Sequence, residues 1–245
     1  WDDDQRQIIV KRYLELSEDH WSADALVWPE FALTAYGVDA ERITSALDAR
    51  GKESNTSVVI GAPRVEWRRT VAGADSNEPR YKLFNAALGL GQAQGVVTKH
   101  HLVPFGDYVP LQSWLRGLID FFDLPMSNAT RGDAQQANVA LMLDGKRVEA
   151  AMGICYEIAY GDSMRQRAQQ AGVLMTLTND TWFGRSIGPH QHMQIARVRA
   201  LENGRWLLRA ANDGVTGVID HRGQVRAQLP QFVEGVLATS FQVMQ

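Results

Sequence analysis

Short apolar runs, each of strand length and each stopped by a turn or a charged residue, recur along the whole of this chain. Ala25-Leu26-Val27-Trp28 stops at Pro29-Glu30, and the run around Val58-Val59-Ile60 follows a helical stretch framed by Asp39 and Gly51. Between the runs lie amphipathic stretches, so the order predicts an α/β fold in which sheets are covered by helices. A first helix is expected after Asp4 as N-cap, with Ile8, Ile9, Tyr13 and Leu16 on its covered side. Strand character returns at Phe84 to Leu90 and Gly95 to Thr98, on the far side of a polar excursion from Arg68 to Arg80. Asp144-Gly145 between Val139 to Leu143 and Val148 to Ile154 reads as a hairpin turn. A helix near Ser163 to Gln170, a strand Val173 to Thr178, a helix between Pro189 and Gly204, and strands at Trp206 to Ala211 and Val215 to Ile219 complete the order.

With 245 residues, 45% apolar and 22% charged, the chain can bury a large core. A net charge of -3 with dispersed Lys and Arg argues against nucleic acid as a partner. No apolar run reaches the roughly 20 residues that span a bilayer, so the chain taken alone reads as a soluble piece. The single cysteine excludes an intrachain disulfide and a Cys-rich zinc site. The pairs His100-His101 and His190-x-His192 lack the i, i+4 spacing of a zincin helix, and Gly89-Leu90-Gly91 lacks the rest of a dinucleotide fingerprint. Neither a metal nor a nucleotide cofactor is expected.

Three polar residues stand where apolar runs end. Cys155 follows Val148 to Ile154 and is either a buried structural thiol or a nucleophile that needs a base or a positive neighbour. Glu30 follows Trp28-Pro29 and is either a turn cap or a base in partly apolar surroundings. Lys99 closes a third strand and is either a solvated lysine or a cation placed to stabilise an oxyanion. It also opens an aromatic, proline-punctuated connection, Lys99-His100-His101-Leu102-Val103-Pro104-Phe105-Gly106-Asp107-Tyr108-Val109-Pro110, which leads into an apolar helix near Trp114, Leu115, Leu118 and Ile119.

The order and separation of Glu30, Lys99 and Cys155 resemble the Glu, Lys and Cys of the nitrilase, or carbon-nitrogen hydrolase, superfamily. The Lys99 to Pro110 segment is similar to the lysine segment of the apolipoprotein N-acyltransferases within it. So are Phe122 to Ser127, Ile154-Cys155-Tyr156-Glu157, Asn179-Asp180-Thr181-Trp182-Phe183-Gly184, and Ser186 to His192 followed by Ala196 to Glu202. The resemblance spans nearly the whole chain and implies a single catalytic domain over 1–245 with an αββα sandwich. It also implies that the chain starts after the family's first core strand and lacks the family's membrane helices. Phe31 and Leu33-Thr34-Ala35-Tyr36-Gly37 look closer to soluble amidase relatives.

The resemblance makes Glu30 the general base, Lys99 the oxyanion stabiliser and Cys155 the acyl-accepting nucleophile. Asn85, Asp107 and Glu157 would support them, Asp107 standing one methylene short of the family's usual glutamate. Tyr156 and Trp182 would line the pocket or pack as plain aromatics, and Phe105, Tyr108, Val109, Trp114, Leu115 and Leu118 would supply an apolar approach. The implied reaction moves a fatty acyl chain from a phospholipid, through a Cys155 thioester, to the N-terminal amine of a diacylglyceryl-modified apolipoprotein. It places the domain on the periplasmic face of the bacterial inner membrane. The alternative is a soluble amidase or nitrilase with the same three residues and water as acceptor.

Overall fold

The computed structural model of the protein describes residues 3–35, 37–67, 81–104, 106–108 and 128–244. Helix α1 (Asp3–Ser17) leads through a 3₁₀ turn (Glu18–His20) to strand β1 (Ala25–Val27), and helix α2 (Gly37–Glu53) precedes β2 (Ser57–Trp67), β3 (Tyr81–Gly91) and β4 (Val96–Thr98). The hairpin β5 (Val139–Leu143) and β6 (Lys146–Ile154) is followed by a 3₁₀ turn (Cys155–Ala159) and helix α3 (Gly161–Ala168). Strand β7 (Val173–Asn179), a 3₁₀ turn (Thr181–Phe183), helix α4 (Gly188–Asn203), and strands β8 (Leu207–Asn212), β9 (Thr216–Ile219) and β10 (Val225–Leu229) follow.

The strands form a four-stranded sheet, β1-β2-β3-β4, and a six-stranded sheet, β10-β9-β8-β7-β6-β5. Strands β1 and β2, and the central trio β6, β7 and β8, pair in parallel, while the remaining pairs are antiparallel. Period-two alternation decides which side chains go where. In β2, Val59 points between the sheets with Val97, Leu141, Met152, Met175 and Leu208, whereas Val58 and Ile60 face Leu47 of α2 and Val10 of α1. On the other outer face, Ala151, Leu174 and Leu207 meet Met164 of α3 and Met193, Ala196 and Ala200 of α4. The result is helix, sheet, sheet, helix, and the central strands β6 and β7 are apolar on both sides because both sides are covered.

Backbone bonds between Gln94 and Ala140, at 2.8 Å in each direction, stitch the two sheets together at one end. The hairpin turn lies at Asp144 and Gly145, both at positive φ (49° and 70°), as a tight two-residue connection requires. Helix α4 carries Pro189 in its first turn and ends on Gly204 in the left-handed region, so both sequence signals mark its ends.

Three details depart from the sequence reading. Helix α1 already includes Asp3, so Asp4 is not its cap. Of its expected covered side, Ile9, Tyr13 and Leu16 are partly buried but Ile8 is 66% exposed, and the most buried positions are Val10 and Ser17. Strand β10 is an edge strand in which Arg226 and Gln228 alternate with less exposed residues, a pattern with little apolar signal. The excursion 68–80 and the apolar helix near Trp114 lie outside the described residues.

Gly61 in β2 sits directly beneath the turn that presents Glu30. A Cβ there would stand 2.4 Å from the carbonyl oxygen of Pro29 and 2.5 Å from Cα of Glu30, both backbone atoms that cannot swing aside. Gly61→Ala is therefore expected to destabilise the fold by about 1–3 kcal/mol in urea unfolding. Enzymatic activity should fall with it, since the turn must shift; an unchanged unfolding midpoint would contradict this packing.

Candidate active site

Lys99 and Cys155 directly follow strands β4 and β6, Glu30 stands three residues after β1, and the sandwich brings those ends together. Glu30 is 2% exposed. Its Oε1 accepts from Asn85 Nδ2 of β3 (2.6 Å) and from Lys99 Nζ (3.3 Å), and its Oε2 accepts from the backbone N–H of Asn179 at the end of β7 (2.7 Å). Asn212 at the end of β8 donates its side-chain amide to the Glu30 carbonyl at 2.7 Å. Phe31, immediately after, adopts φ 55°, a strained corner for a residue with a Cβ.

Lys99 is as buried as Glu30 and lies 2.8 Å from Asp107 Oδ2. Asp107 also accepts the backbone N–H of Val103 (2.8 Å), so one carboxylate both closes its own loop and meets the ammonium. The missing methylene, relative to the glutamate that the sequence resemblance places there, does not keep Asp107 from Lys99. Burial opposes the Lys99 charge, but Glu30, Cys155 and Asp107 outweigh it and hold the group above the ordinary lysine range.

Cys155 begins the 3₁₀ turn at φ 54°, so the chain bends sharply out of the sheet at the thiol. Burial and the negative Glu30 push the thiol up to about 12, while the Lys99 ammonium and a hydrogen bond with Thr178 pull the other way. The resting group is a neutral thiol that needs a base. Glu157, two residues on, is buried and ties the turn together: it accepts the backbone N–H groups of Ile154 (3.0 Å), His100 (2.9 Å) and His101 (3.2 Å). It thereby fixes the Lys99 loop against the Cys155 turn.

The sequence reading overlooks a buried network behind the thiol. Asp180 accepts from Thr178 Oγ1 (2.9 Å), from Arg209 Nη2 (2.6 Å) and at 2.9 Å meets Nδ1 of His192. Burial disfavours the Asp180 carboxylate, yet His192 and Arg209 outweigh it and hold its pKa below the usual range. A charged Arg209 inside the otherwise apolar run Trp206 to Ala211 was the signal available for this ion pair. Two further histidines are engaged: His100 Nδ1 lies 2.7 Å from the Gly132 carbonyl, and His101 stacks on Tyr160 at 3.8 Å. Among the described residues, no three His, Cys, Asp or Glu side chains converge as a metal site.

Tyr156 and Trp182 are 45% and 67% exposed, so neither is core, and Phe183 and Ile187 are exposed near them in sequence. A cavity of about 590 Å³ lies between β1, β8 and β9 and the segment 229–241, and neither Cys155 nor Lys99 lines it. Of the expected apolar approach, Tyr108 is half-buried and bridges to Asn128, while Phe105, Val109, Trp114, Leu115 and Leu118 lie outside the described residues.

A family model described as carbon-nitrogen hydrolase matches residues 1–244. The chain belongs to the carbon-nitrogen hydrolase family. It is 44% identical over 237 residues to a protein of Pseudomonas aeruginosa named apolipoprotein N-acyltransferase, and 39% identical over 247 residues to one of the same name from Vibrio vulnificus. Each match covers 97% of this chain but only 44% and 46% of the relative, so the chain spans less than half the length of these relatives. Among solved structures it is similar to a carbon-nitrogen hydrolase from Helicobacter pylori G27 (TM-score 0.63, 14% identity, 93% of this chain and 80% of that one). It is also similar to the E41Q mutant of an amidase from Nesterenkonia sp. AN1 (TM-score 0.59, 17% identity, 92% of this chain and 79% of that one), which carries the acetamide moiety of fluoroacetamide on its active-site cysteine. These two likenesses bear out the expected αββα fold.

The fold shields the Cys155 proton, so the thiolate absorbance of the protein minus that of Cys155→Ser should rise with a midpoint well above the ordinary value of about 9. The linkage has a definite sign. The contribution of the neutral thiol to stability is full below pH 9 and is lost as pH rises toward about 12, a loss that Cys155→Ser should not show.

Proposed function

We propose that this chain is the catalytic domain of an apolipoprotein N-acyltransferase, with Glu30 as base, Lys99 as oxyanion stabiliser and Cys155 as nucleophile. The observation that carries this reading is a buried Glu30 and Lys99 beside a thiol that the fold keeps protonated. That arrangement suits a nucleophile activated only when a carbonyl arrives. The acyltransferase names of relatives at 37–44% identity support the choice of acyl transfer, and the cysteine adduct in the amidase supports covalent catalysis.

Glu30 Oε takes the thiol proton as Cys155 Sγ attacks the ester carbonyl of a phospholipid. Charge on the carbonyl oxygen is met by the Lys99 ammonium, which Asp107 and Glu30 hold in place without letting it deprotonate. Collapse breaks the ester bond, the proton returns from Glu30 to the leaving lysophospholipid oxygen, and a thioester remains. The N-terminal amine of a diacylglyceryl-modified lipoprotein then attacks the thioester, losing its proton to Glu30, and Cys155 leaves and recovers that proton as a thiol. Asn85 and the Asn179 N–H keep Glu30 oriented, and Glu157 keeps the Lys99 loop against the nucleophile. The exposed Tyr156, Trp182 and Phe183 offer apolar surface for the lipid substrates.

No helix among the described residues is long and apolar enough to cross a membrane. We assign membrane association, at the periplasmic face of the bacterial inner membrane, to the larger protein of which such a domain forms part. Intact-mass measurement of the full-length protein with phospholipid vesicles tests the reading. An acyl adduct should form that hydroxylamine removes, and it should be absent in Cys155→Ala. Acylation should slow about 10²-fold or more in Glu30→Gln and in Lys99→Met. Hydrolysis of small amides without any lipid-derived adduct would instead identify an amidase.

A further inference from the structure

We infer that His192 is a positioning residue for the nucleophile, acting through the backbone carbonyl of Cys155. The inference rests on the assignment of Cys155 as nucleophile. His192 lies in α4, is 3% exposed, and points its Nε2 at the Cys155 carbonyl oxygen at 3.1 Å. A carbonyl has no hydrogen to give, so Nε2 carries the proton in that contact and donates it. The opposite ring nitrogen, Nδ1, lies 2.9 Å from Asp180 Oδ1 and 3.3 Å from Arg209 Nη2. Arg209 is itself anchored on the Val215 carbonyl at 3.0 Å and on Asp180, so the imidazole is held from the rear by an ion pair between the ends of β7 and β8.

The contact falls where the backbone needs it. The ladder between β6 and β7 ends at Ile154 and Leu177, so Cys155 is the first residue beyond the reach of sheet pairing, and it stands at φ 54°. A strained residue keeps such a conformation only when its surroundings over-determine it. Glu157 restrains this turn on its N-terminal side through the Ile154 N–H, and His192 restrains it through the Cys155 carbonyl. The donated bond also polarises the peptide joining Cys155 to Tyr156, since hydrogen bonds in series strengthen one another. His192 thus sets the direction of the thiol and the polarity of the amide next to it without touching substrate.

Two substitutions separate this role from simple packing. His192→Asn keeps an N–H near Nδ1, facing Asp180, but cannot reach the Cys155 carbonyl. His192→Gln places an N–H near Nε2, facing that carbonyl. In the full-length protein with phospholipid vesicles, His192→Asn is expected to lower the rate constant of thioester formation about 10- to 100-fold with KM within about twofold. His192→Gln should recover to within about fivefold of the native rate. Should His192→Asn fail to fold, Asp180→Asn, which frees the rear of the ring, should give the same loss of rate at unchanged KM, and a native rate there would overturn the inference. Equal losses in the Asn and Gln variants would overturn it, as would a native rate in His192→Asn or an effect confined to KM. Cys155→Ala is the control: if it still forms the adduct, the nucleophile assignment falls and takes this inference with it. A silent Cys155→Ala beside a native-like His192→Asn overturns this inference alone.

Discussion

Glu30 fastens the two halves of the sandwich at the end where the candidate active site lies. Its two oxygens and its carbonyl accept from Asn85 and Lys99, which belong to the four-stranded sheet, and from Asn179 and Asn212, which belong to the six-stranded one. A carboxylate this deeply buried costs several kcal/mol unless it is paired and hydrogen-bonded on all sides. The middle of β3 and the ends of β4, β7 and β8 are therefore held in one arrangement relative to the turn after β1, and a glycine is needed at 61 to let that turn sit so low. The same bonds that satisfy the charge leave it beside a thiol whose proton it is placed to take.

Charge balance in the site follows from this. Lys99 stands between Glu30 and Asp107, so the ammonium is retained despite burial and the cluster keeps a negative surplus until Cys155 reacts. That surplus, with burial, keeps the thiol neutral at rest. A neutral resting thiol suits the proposed mechanism, because a permanently ionised one would react with any electrophile. Behind it, Asp180, Arg209 and His192 form a second ion-paired cluster that reaches only the backbone of Cys155. In the proposed mechanism one cluster governs the proton and the other governs the geometry.

Much of the architecture was legible beforehand because period-two and helical patterns report directly on burial. The hairpin at Asp144-Gly145 and the helix from Pro189 to Gly204 carry local signals that tertiary contacts do not override. Strand β10 was not legible, since an edge strand with one wet side and Arg226 in its middle has no apolar signature. In helix α1 only Ile8 was misplaced, because a largely polar helix leaves its exact orientation to the sheet it meets. Glu30, Lys99 and Cys155 stood out as polar residues ending apolar runs. His192 and Arg209 did not, because the first resembled an idle ligand and the second an ordinary strand charge.

The chain by itself determined its family, the order of its elements and which polar residues stand at strand ends, since these depend on local pattern and motif. Only the tertiary structure decided that Asp107 reaches Lys99 despite its shorter arm, that Glu157 supports the site by binding the lysine loop, and that His192 is turned toward a backbone carbonyl. The physical reason is the same in each case. A side chain's partner is set by which segments the two sheets and helix α4 bring within hydrogen-bonding reach, and residues 30, 99, 155, 180, 192 and 209 are too far apart in sequence for any local pattern to specify it.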